Sequence, residues 1–524
     1  MDVARAMVES GDWLVPRYQG NDFFDKPALT YWLMAASFRA LGFTLGAGRL
    51  VSIAATLSLL LATAWLGRLL LDGRAALLGA LALGTTLLVL SFARVAMSDM
   101  LLALWCTLAM ALGVAAARSP RRAATMAALG AVLGLGFLTK GPIAVLLPGL
   151  GLVLLAARRG EEPLRPGLRG LAAAAATFAA VGLSWFAAVA RREGLGPLQY
   201  FFLQENLERF AGETYDAGRS PLFYVWTYLA AGLPWSLLFP LAAWRGRRRA
   251  ALLLAWMALM AVPLSLSHGK IDYYLLPLLP AASLVVGRHL AAQWDEVDRA
   301  WARAALLAFA LIALVPAALE PRLPTDWLPP WPAQVALIAL GAAIAMAAAL
   351  SAFRPTPGRV AAVLAGGTAA TFALLAGVFL PAFRAAQPNA DVVADVQRER
   401  TWRPDAVLAV CGDPARASRD LLFEARVVVQ ERCDVWNPAS SRLPFMLLVG
   451  GDQAQALEAV PGIREVARYR CVPAAAMTLG QIVSGLETES FVLLANYHTD
   501  DPAAEIKRRR DRKHALREAA AAAP

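Results

Sequence analysis

The sequence "AGRLVSIAATLSLLLATAWLGRLLL" at residues 47–71 contains only two charged side chains, Arg49 and Arg68. A run of this length predicts a helix that crosses a lipid bilayer, because the hydrocarbon core requires roughly 17 to 25 apolar residues per helix. The whole 524-residue chain is 58% hydrophobic and 17% charged, with a mean hydropathy of +0.51. This composition excludes a soluble enzyme of this size and predicts an α-helical polytopic membrane protein.

Similar apolar runs continue to residue 382, and we interpret residues 47–382 as the transmembrane domain. Loops between the runs must lie outside the hydrocarbon or be buried in protein, because unsatisfied backbone groups are costly in lipid. We predict twelve membrane-spanning helices over residues 47–71, 75–93, 97–117, 123–138, 141–157, 170–190, 222–243, 250–266, 272–291, 303–319, 333–353 and 360–382.

Basic residues are unevenly divided between the two sets of loops. If the N-terminus is outside, the inner loops hold 15 Lys and Arg in 43 residues, against 12 in 100 residues of the outer segments. The positive-inside rule then places the clusters "RSPRR" (118–122) and "RGRRR" (245–249) in the cytoplasm. Residues 384–524 contain 19 basic and 19 acidic side chains, so the net charge of +11 comes from residues 1–383. The charge therefore indicates membrane topology and an anionic ligand, and not a nucleic-acid partner.

Residues 1–46 form a segment broken by several Gly and Pro residues. We predict an extracytoplasmic loop with short helices that forms part of an active site. Its run 28–42 has fifteen residues and contains Arg39, which favours an interfacial or re-entrant helix over a span.

The hydrophobic pattern of the sequence changes after the last predicted span. The β-rich runs "AVLAVCG", "ARVVVQE", "PFMLLVGG" and "SFVLLANY" alternate with helical patterns such as "DQAQALEAV", which predicts a small extracytoplasmic α/β domain over residues 383–505. Its three cysteines, Cys411, Cys433 and Cys471, permit at most one internal disulfide. The basic tail, residues 506–524, is predicted to be disordered.

Ionisable side chains beside the predicted spans collect on the face opposite the arginine-rich loops. Each costs about 2.5 to 3.5 kcal/mol or more in lipid and is therefore a functional candidate. Cations suit a phosphate, acids suit a metal or hydroxyl groups, and aromatic rings suit sugar faces. The set predicts a site for an anionic, sugar-like or phosphate-bearing ligand. The nine side chains of this set are Asp25, Lys26, Arg94, Asp99, Lys140, Glu205, Arg209, Lys270 and Asp272.

These side chains also have structural interpretations. Lys140 could extend its ammonium group from the end of a span to the interface. Asp99 could pair with Arg94 and fix two helices. Glu205 and Arg209, four residues apart, could form an ordinary surface pair on a helix.

The stretch "SHGKIDYYLLPLLP" (267–280) also has a structural interpretation beside the functional one. Lys270, Asp272 and Tyr273 could anchor a helix at the membrane interface, where Tyr is common. His268 has no second histidine nearby, which disfavours a metal-ligand role.

Several motifs together resemble the bacterial glycosyltransferases of family 39 type. This group includes the lipid A aminoarabinose transferases and is related to the protein O-mannosyltransferases, all of the GT-C membrane class. The resemblance covers roughly residues 1–290, and the first loop and the "GKIDYYLLP" pattern are the specific parts. The motifs are "MVESGDWLVPRYQGNDFFDKPALTYWLMAASFRALG" (7–42), "ARVAMSDM" (93–100), "FLTKGP" (137–142), "ENLERF" (205–210), "LPWSLLFP" (233–240) and "GKIDYYLLPLLP" (269–280).

The resemblance implies an enzyme of the bacterial cytoplasmic membrane, with its active site on the outer face. Such an enzyme takes a sugar from a polyprenyl-phosphate carrier and transfers it, with inversion at the anomeric carbon, to a lipid acceptor such as lipid A or to a protein. A carboxylate serves as general base on the acceptor hydroxyl group, and cations, in some members with a divalent metal, stabilise the departing lipid phosphate.

The same resemblance implies roles for individual residues. Pro27 fixes the backbone where the chain enters its interfacial helix, as proline is tolerated at a first helical turn. The implied donor-phosphate ligands are Lys26, Lys140, Arg209 and Lys270. The implied metal or acceptor contacts are Asp25, Glu205 and Asn206. The implied supporting residues are Arg94, Asp99, Asp272, Tyr273 and Tyr274.

This sequence departs from the family pattern at two places. Asn206 stands where the aminoarabinose transferases have a histidine, which disfavours a metal site of that kind. The family's first helix and catalytic aspartate would precede this chain, with the aspartate shortly before Asp2. Three explanations would account for the missing helix and aspartate. The start codon could be assigned too far downstream, the protein could be truncated and inactive, or the acid could be recruited from Asp2, Asp12 or Asp22.

One class of alternative functions needs no general base. A non-catalytic transporter or flippase for lipid-linked sugars would use the same cations and aromatic rings. An inactive partner of another transferase would do so as well.

Overall fold

The computed structural model divides the chain into two compact units. One unit comprises residues 1–315 and 337–373, and the other comprises residues 316–336 and 374–524. The structure describes residues 1–18, 20–157, 163–208, 220, 222–267, 269–322, 328–382, 389–411, 428–429, 444–460, 462–471 and 489–497.

The N-terminal segment contains short elements, as predicted from its Gly and Pro residues. Helix α1 ends at Gly11, whose φ of +73° suits a left-handed cap. Pro27 lies two residues before the first residue of α2 and outside its first turn, because Ala28 is the N-cap. Helix α2 has 13 residues, and at 1.5 Å per residue it is too short to cross a bilayer. The elements are α1 (Asp2–Ser10), β1 (Arg17–Tyr18), β2 (Asn21–Asp22) and α2 (Leu29–Leu41).

Helices dominate the chain from residue 45 onward. In chain order they are α3 (Leu45–Leu70), α4 (Gly73–Gly84), α5 (Leu87–Phe92), α6 (Asp99–Arg118), α7 (Arg122–Lys140), α8 (Ile143–Ala157), α9 (Gly167–Gly182), α10 (Ser184–Glu193), α11 (Gly196–Gln199), α12 (Phe223–Ala231), α13 (Phe239–Gly246), α14 (Ala251–Leu266), α15 (Leu279–Ala291), α16 (Glu296–Leu319), α17 (Trp331–Phe353) and α18 (Pro357–Leu374). Tighter or wider helical turns occur at Tyr200–Glu208, Trp235–Leu237, Asp272–Leu278, Glu320–Arg322 and Leu375–Phe379.

The prediction of a polytopic helical membrane protein is confirmed, but twelve continuous spans were too many. Within the described residues, seven helices are long and apolar enough to cross a membrane, or eight if α9 and α10, bent by 45°, form one span. The others are shorter or interrupted. The predicted span 75–93 breaks between α4 and α5, where the hydroxyl groups of Thr85 and Thr86 bond to backbone carbonyls of the preceding turn. The seven are Leu45–Leu70, Asp99–Arg118, Arg122–Lys140, Asp272–Ala291, Glu296–Leu319, Trp331–Phe353 and Pro357–Ala382.

Close helix packing in the larger unit depends on small residues. A Cβ atom on Gly130 of α7 would lie 2.0 Å from the carbonyl oxygen of Ala174 on α9, and one on Gly287 of α15 would lie 2.3 Å from the backbone nitrogen of Gly79 on α4. Backbones that approach this closely are typical of helix contacts in membranes. Helix α6 and the span Asp272–Ala291 are the most buried of the seven helices that could cross a membrane.

The smaller unit contains the predicted α/β region. Its five strands have the order β4-β3-β5-β7-β6, in which β3 is parallel to β4 and β5, and β7 is antiparallel to β5 and β6. Alternate residues pack on opposite faces, for example Leu448 on one and Leu447 on the other. The elements are α19 (Asn389–Trp402), β3 (Val407–Cys411), β4 (Val428–Val429), β5 (Phe445–Gly450), α20 (Gly451–Glu458), β6 (Arg464–Cys471) and β7 (Glu489–Ala495).

Two predictions for this region lie outside the described residues. The basic tail 506–524 is one. The cysteine pairing is the other, because Cys433 is not described and Cys411 and Cys471 are described by their backbone alone.

Candidate active site

Six of the predicted site residues line one cavity of about 460 Å³ in the larger unit. They come from four separate parts of the chain: the loop before α2, the end of α7, the wide helical turn after α11 and the tight turn before α15. Much of the remaining wall is apolar and includes Leu102, Leu147 and Leu264. The six are Asp25, Lys26, Lys140, Glu205, Asn206 and Tyr274.

Lys140 is held by a buried acid and an aromatic ring. Its ammonium group donates a hydrogen bond to Asp99, which is only 4% exposed, and lies 4.7 Å from the ring centroid of Tyr274. Asp99 is the first residue of α6 and Lys140 is the last residue of α7. Both charges therefore also complement the dipole of their own helix.

The Asp99–Lys140 ion pair contradicts two structural interpretations made from the sequence. Lys140 does not extend toward an interface as a single charge, because it is paired with Asp99. Asp99 pairs with Lys140 and not with Arg94, whose guanidinium group lies 5.2 Å from the ring centroid of Phe372.

A second polar group joins the N-terminal loop to the turn at Tyr200–Glu208. The Lys26 ammonium group donates to the carbonyl oxygen of Asp25 at 2.8 Å and lies 3.5 Å from a carboxylate oxygen of Glu205. The hydroxyl group of Tyr200 lies 3.1 Å from the Asp25 carboxylate and 3.4 Å from the Glu205 carboxylate. One hydroxyl group therefore connects the two acids of the cavity.

Tyr200 was not predicted from the sequence. Partial burial, followed by the nearby Asp25 and Glu205, raises the pKa of Tyr200 to about 12. Its hydroxyl group is protonated near neutral pH and can donate its single proton to either of the two acids. The five-residue spacing from Tyr200 to Glu205 brings their side chains together only because this turn is a π-helix. The ordinary helical spacings of three and four residues give no such signal.

The remaining predicted site residues lie beside the cavity or outside the residues that the structure describes. Lys270 donates to the carbonyl oxygen of Ser267 at 2.8 Å, and Ser267 lines the cavity. The Asp272 carboxylate accepts from the backbone N–H of Tyr273 at 2.8 Å, where a tight turn begins. The centroid of the Tyr273 ring lies 5.4 Å from that of the Tyr274 ring. Arg209 and His268 lie outside the described residues.

The described residues do not fit the divalent metal that the resemblance allows. No group of three or more His, Cys, Asp or Glu side chains within the described ranges could hold a metal ion. Glu205 faces the Lys26 ammonium group and Asp25 faces the Tyr200 hydroxyl group. The Asn206 side-chain nitrogen donates to the carbonyl oxygen of Phe201 at 2.6 Å.

Two of the acids considered as substitutes for the catalytic aspartate are engaged elsewhere. Asp12 accepts two hydrogen bonds from Arg192, at 3.0 and 2.8 Å, and lies 3.2 Å from Arg17. Asp22 lies in the β1–β2 hairpin and also pairs with Arg17, at 3.3 Å. Asp2 is in the first turn of α1. Among the described residues that line the cavity, the acids are Asp25 and Glu205.

Comparisons with known proteins agree with this architecture. A family model described as dolichyl-phosphate-mannose-protein mannosyltransferase matches residues 25–185. The chain is 37% identical to the undecaprenyl phosphate-α-4-amino-4-deoxy-L-arabinose arabinosyl transferase of Pseudomonas aeruginosa strain UCBPP-PA14 over 299 residues. This alignment covers 55% of this chain and 54% of that protein. A Sodalis glossinidius protein of the same description is 35% identical over 302 residues, covering 55% and 53%. The chain thus spans about half the length of the curated relatives it matches.

A solved structure extends the similarity over most of the chain. The crystal structure of ArnT from Cupriavidus metallidurans bound to undecaprenyl phosphate has a TM-score of 0.75 and 22% identity, and covers 95% of this chain and 93% of that one. The fold is therefore that of the GT-C membrane glycosyltransferases. In sequence, the chain is similar over about 300 residues to the undecaprenyl phosphate-dependent arabinosyl transferases, as its motifs predicted.

Proposed function

We propose that this chain is a membrane glycosyltransferase that moves a sugar from a polyprenyl-phosphate donor to a lipid acceptor of the lipid A kind. The cavity carries this proposal, because Lys26 and Lys140 share its wall with many apolar side chains. A polyprenyl phosphate has the matching parts, an anionic phosphate and a long hydrocarbon chain. The names of the curated relatives, which are undecaprenyl phosphate-dependent arabinosyl transferases, support the same donor class.

In this proposal the lysines stabilise the departing phosphate. Lys140 has three N–H donors and its position is fixed by Asp99 and Tyr274, so further donors can meet phosphate oxygens. Negative charge grows on the phosphate as its bond to the sugar breaks, and fixed cations in a largely apolar cavity lower the energy of that state. Lys26 acts in the same way, with Lys270 and Arg209 as further proposed phosphate ligands.

The acceptor reacts on the opposite side of the sugar. Its hydroxyl oxygen forms a bond to the anomeric carbon while the bond from that carbon to the phosphate oxygen breaks, which inverts the configuration. The hydroxyl proton passes to a carboxylate that serves as general base. We propose that Asp25 and Glu205, joined by Tyr200, bind the polar groups of the acceptor or the sugar.

We further propose that the reaction takes place at the extracytoplasmic face of the bacterial inner membrane. Helices α6 and α7 support this orientation, because Asp99 and Lys140 lie at one end of them and Arg118 and Arg122 at the other. Arg118 and Arg122 are part of the cluster that the positive-inside rule assigns to the cytoplasm.

The test uses the protein in vesicles with a radiolabelled undecaprenyl-phosphate sugar and lipid A. We expect label in lipid A together with release of undecaprenyl phosphate. A control without acceptor should retain the label on the carrier.

Two results would contradict the proposal. Movement of the labelled carrier across the vesicle membrane with its sugar bond intact would identify a flippase. Transfer that appears only when an active transferase is added would identify a non-catalytic partner.

A further inference from the structure

A second cavity, of about 600 Å³, lies at the helix ends that carry the "RGRRR" cluster. We propose that it binds the phosphate group of an anionic molecule, independently of the proposed transfer site. Its wall is formed by the end of α13 and the residues after it, by the end of α15 and the following loop, and by the first turn of α16. The arginines that line it are Arg245, Arg247, Arg248, Arg249 and Arg288.

The charges of this second cavity do not cancel. Arg245 contacts both lining acids, at 2.5 Å from Asp295 and 3.2 Å from Asp298. Arg248 and Arg249 are exposed and make no ion pair with any described residue. Arg288 lies 3.5 Å from Asp72, so five arginines against three aspartates leave a net of two positive charges around the cavity, which attracts an anion.

An unsatisfied nitrogen atom distinguishes this site from a solvated row of arginines. His289 lines the cavity and is 5% exposed, yet its Nε2 atom has no hydrogen-bond partner among the described residues. The Trp294 ring stacks on the imidazole at 5.3 Å and its N–H donates to the His289 carbonyl oxygen at 2.9 Å. Buried polar atoms normally have partners, and a phosphate oxygen would supply the missing one.

The surroundings fit a phosphate at the depth of lipid headgroups. Trp244 lines the cavity and is 53% exposed, and the guanidinium groups of Arg245 and Arg247 each lie 5.1 Å from its ring centroid. Tryptophan is enriched at membrane interfaces, and basic groups near the cytoplasmic leaflet attract anionic lipids. A soluble diphosphate presents the same oxygen atoms, so the experiment must separate the two sources.

The test uses the full chain in a neutral detergent with two probes, phosphatidylglycerol in mixed micelles and inorganic pyrophosphate. Affinity is measured by titration, and hydrogen–deuterium exchange locates the protected peptides. We expect protection at residues 239–251 and 279–295, and at least tenfold weaker binding in R248Q/R249Q. The matched control R354Q/R359Q removes the same charge from a turn on the same predicted face, and should change affinity less than twofold. H289F, which keeps an aromatic ring against Trp294, should also weaken binding with an unchanged melting temperature.

The outcomes separate the sources and leave the proposal falsifiable. Saturation by phosphatidylglycerol alone assigns the site to a lipid headgroup, and competition by pyrophosphate assigns it to a soluble anion. Equal losses of affinity in R248Q/R249Q and R354Q/R359Q would mean that the basic face attracts anions without a specific site, and this would overturn the proposal. Absence of protection with both probes would also overturn it. Neither result bears on sugar transfer, because Arg248, Arg249 and His289 lie outside the transfer cavity.

Discussion

The Asp99 carboxylate at the start of α6 accepts a hydrogen bond from the Lys140 ammonium group at the end of α7. The side chains are 6% and 12% exposed, so this ion pair is largely removed from water. It places a cation in the wall of the cavity proposed for the donor phosphate. The pair therefore has a structural and a proposed functional role that substitutions can separate.

We expect Asp99→Leu alone to lower the free energy of unfolding by about 3 to 5 kcal/mol, because it leaves a buried cation unpaired. Adding Lys140→Met removes that cation and should restore most of the melting temperature. Sugar transfer should remain lost in the double variant, since the phosphate ligand is gone. Recovery of both stability and transfer would show that Lys140 is structural only. The measurements are thermal melting in detergent and label transfer in vesicles.

Lys26→Ala is expected to abolish sugar transfer without loss of folded protein. Lys26 is half-buried and belongs to a loop, so its loss should disturb packing little while removing a proposed phosphate contact. Arg191→Ala is the matched control, because Arg191 is exposed on α10 and does not line the cavity. The radiolabel assay compares both variants at equal amounts of folded protein. An unchanged rate in Lys26→Ala would remove this residue from the mechanism.

Tyr200→Phe should lower kcat roughly 10-fold or more, as expected when a group that orients functional side chains is lost. The hydroxyl group contacts Asp25 and Glu205, so Tyr200 is a positioning residue that acts through them. If this is correct, Tyr200→Phe should have little further effect in an Asp25→Asn background. Multiplicative losses in the double variant would mean that the two residues act independently. Steady-state kinetics with separate kcat and KM values make the distinction.

The sequence predicted most of the elements but not how they meet. Lys140 and Asp99 were both candidates because charge beside a span is costly, yet their pairing joins residues 41 positions apart. Local spacing offered Arg94 as the partner of Asp99 and gave no signal for Lys140. Long-range pairing of this kind depends on the packing of α6 against α7, where a Cβ atom on Gly136 would lie 3.4 Å from the Cβ of Trp105.

The strands show a similar limit. The runs that contain β3, β4, β5 and β7 were predicted from their hydrophobic residues. Strand β6, "REVARYRC" at Arg464–Cys471, was missed because four of its eight residues are charged. It lies at the edge of the sheet, where charged side chains are common because they discourage pairing with other chains. The hydrophobic pattern therefore missed this charged edge strand, although it identified β4 at the opposite edge.

Asp12 gives a pH-dependent prediction. Burial opposes its ionisation, but hydrogen bonds from Arg192 and from the backbone N–H groups of Leu14 and Val15 outweigh that effect and hold the pKa of Asp12 below its ordinary value of 3.8. A lowered pKa contributes stability that is complete above pH 3.8 and is lost as the pH falls through the folded-state value. Asp12→Asn should therefore melt at a lower temperature than the wild type from pH 7 to pH 5, and the difference should shrink below about pH 4. Thermal melting of the wild type and the variant across pH 3 to 7 measures this difference. A difference that stays constant to pH 3 would mean that the Asp12 charge does not stabilise this segment.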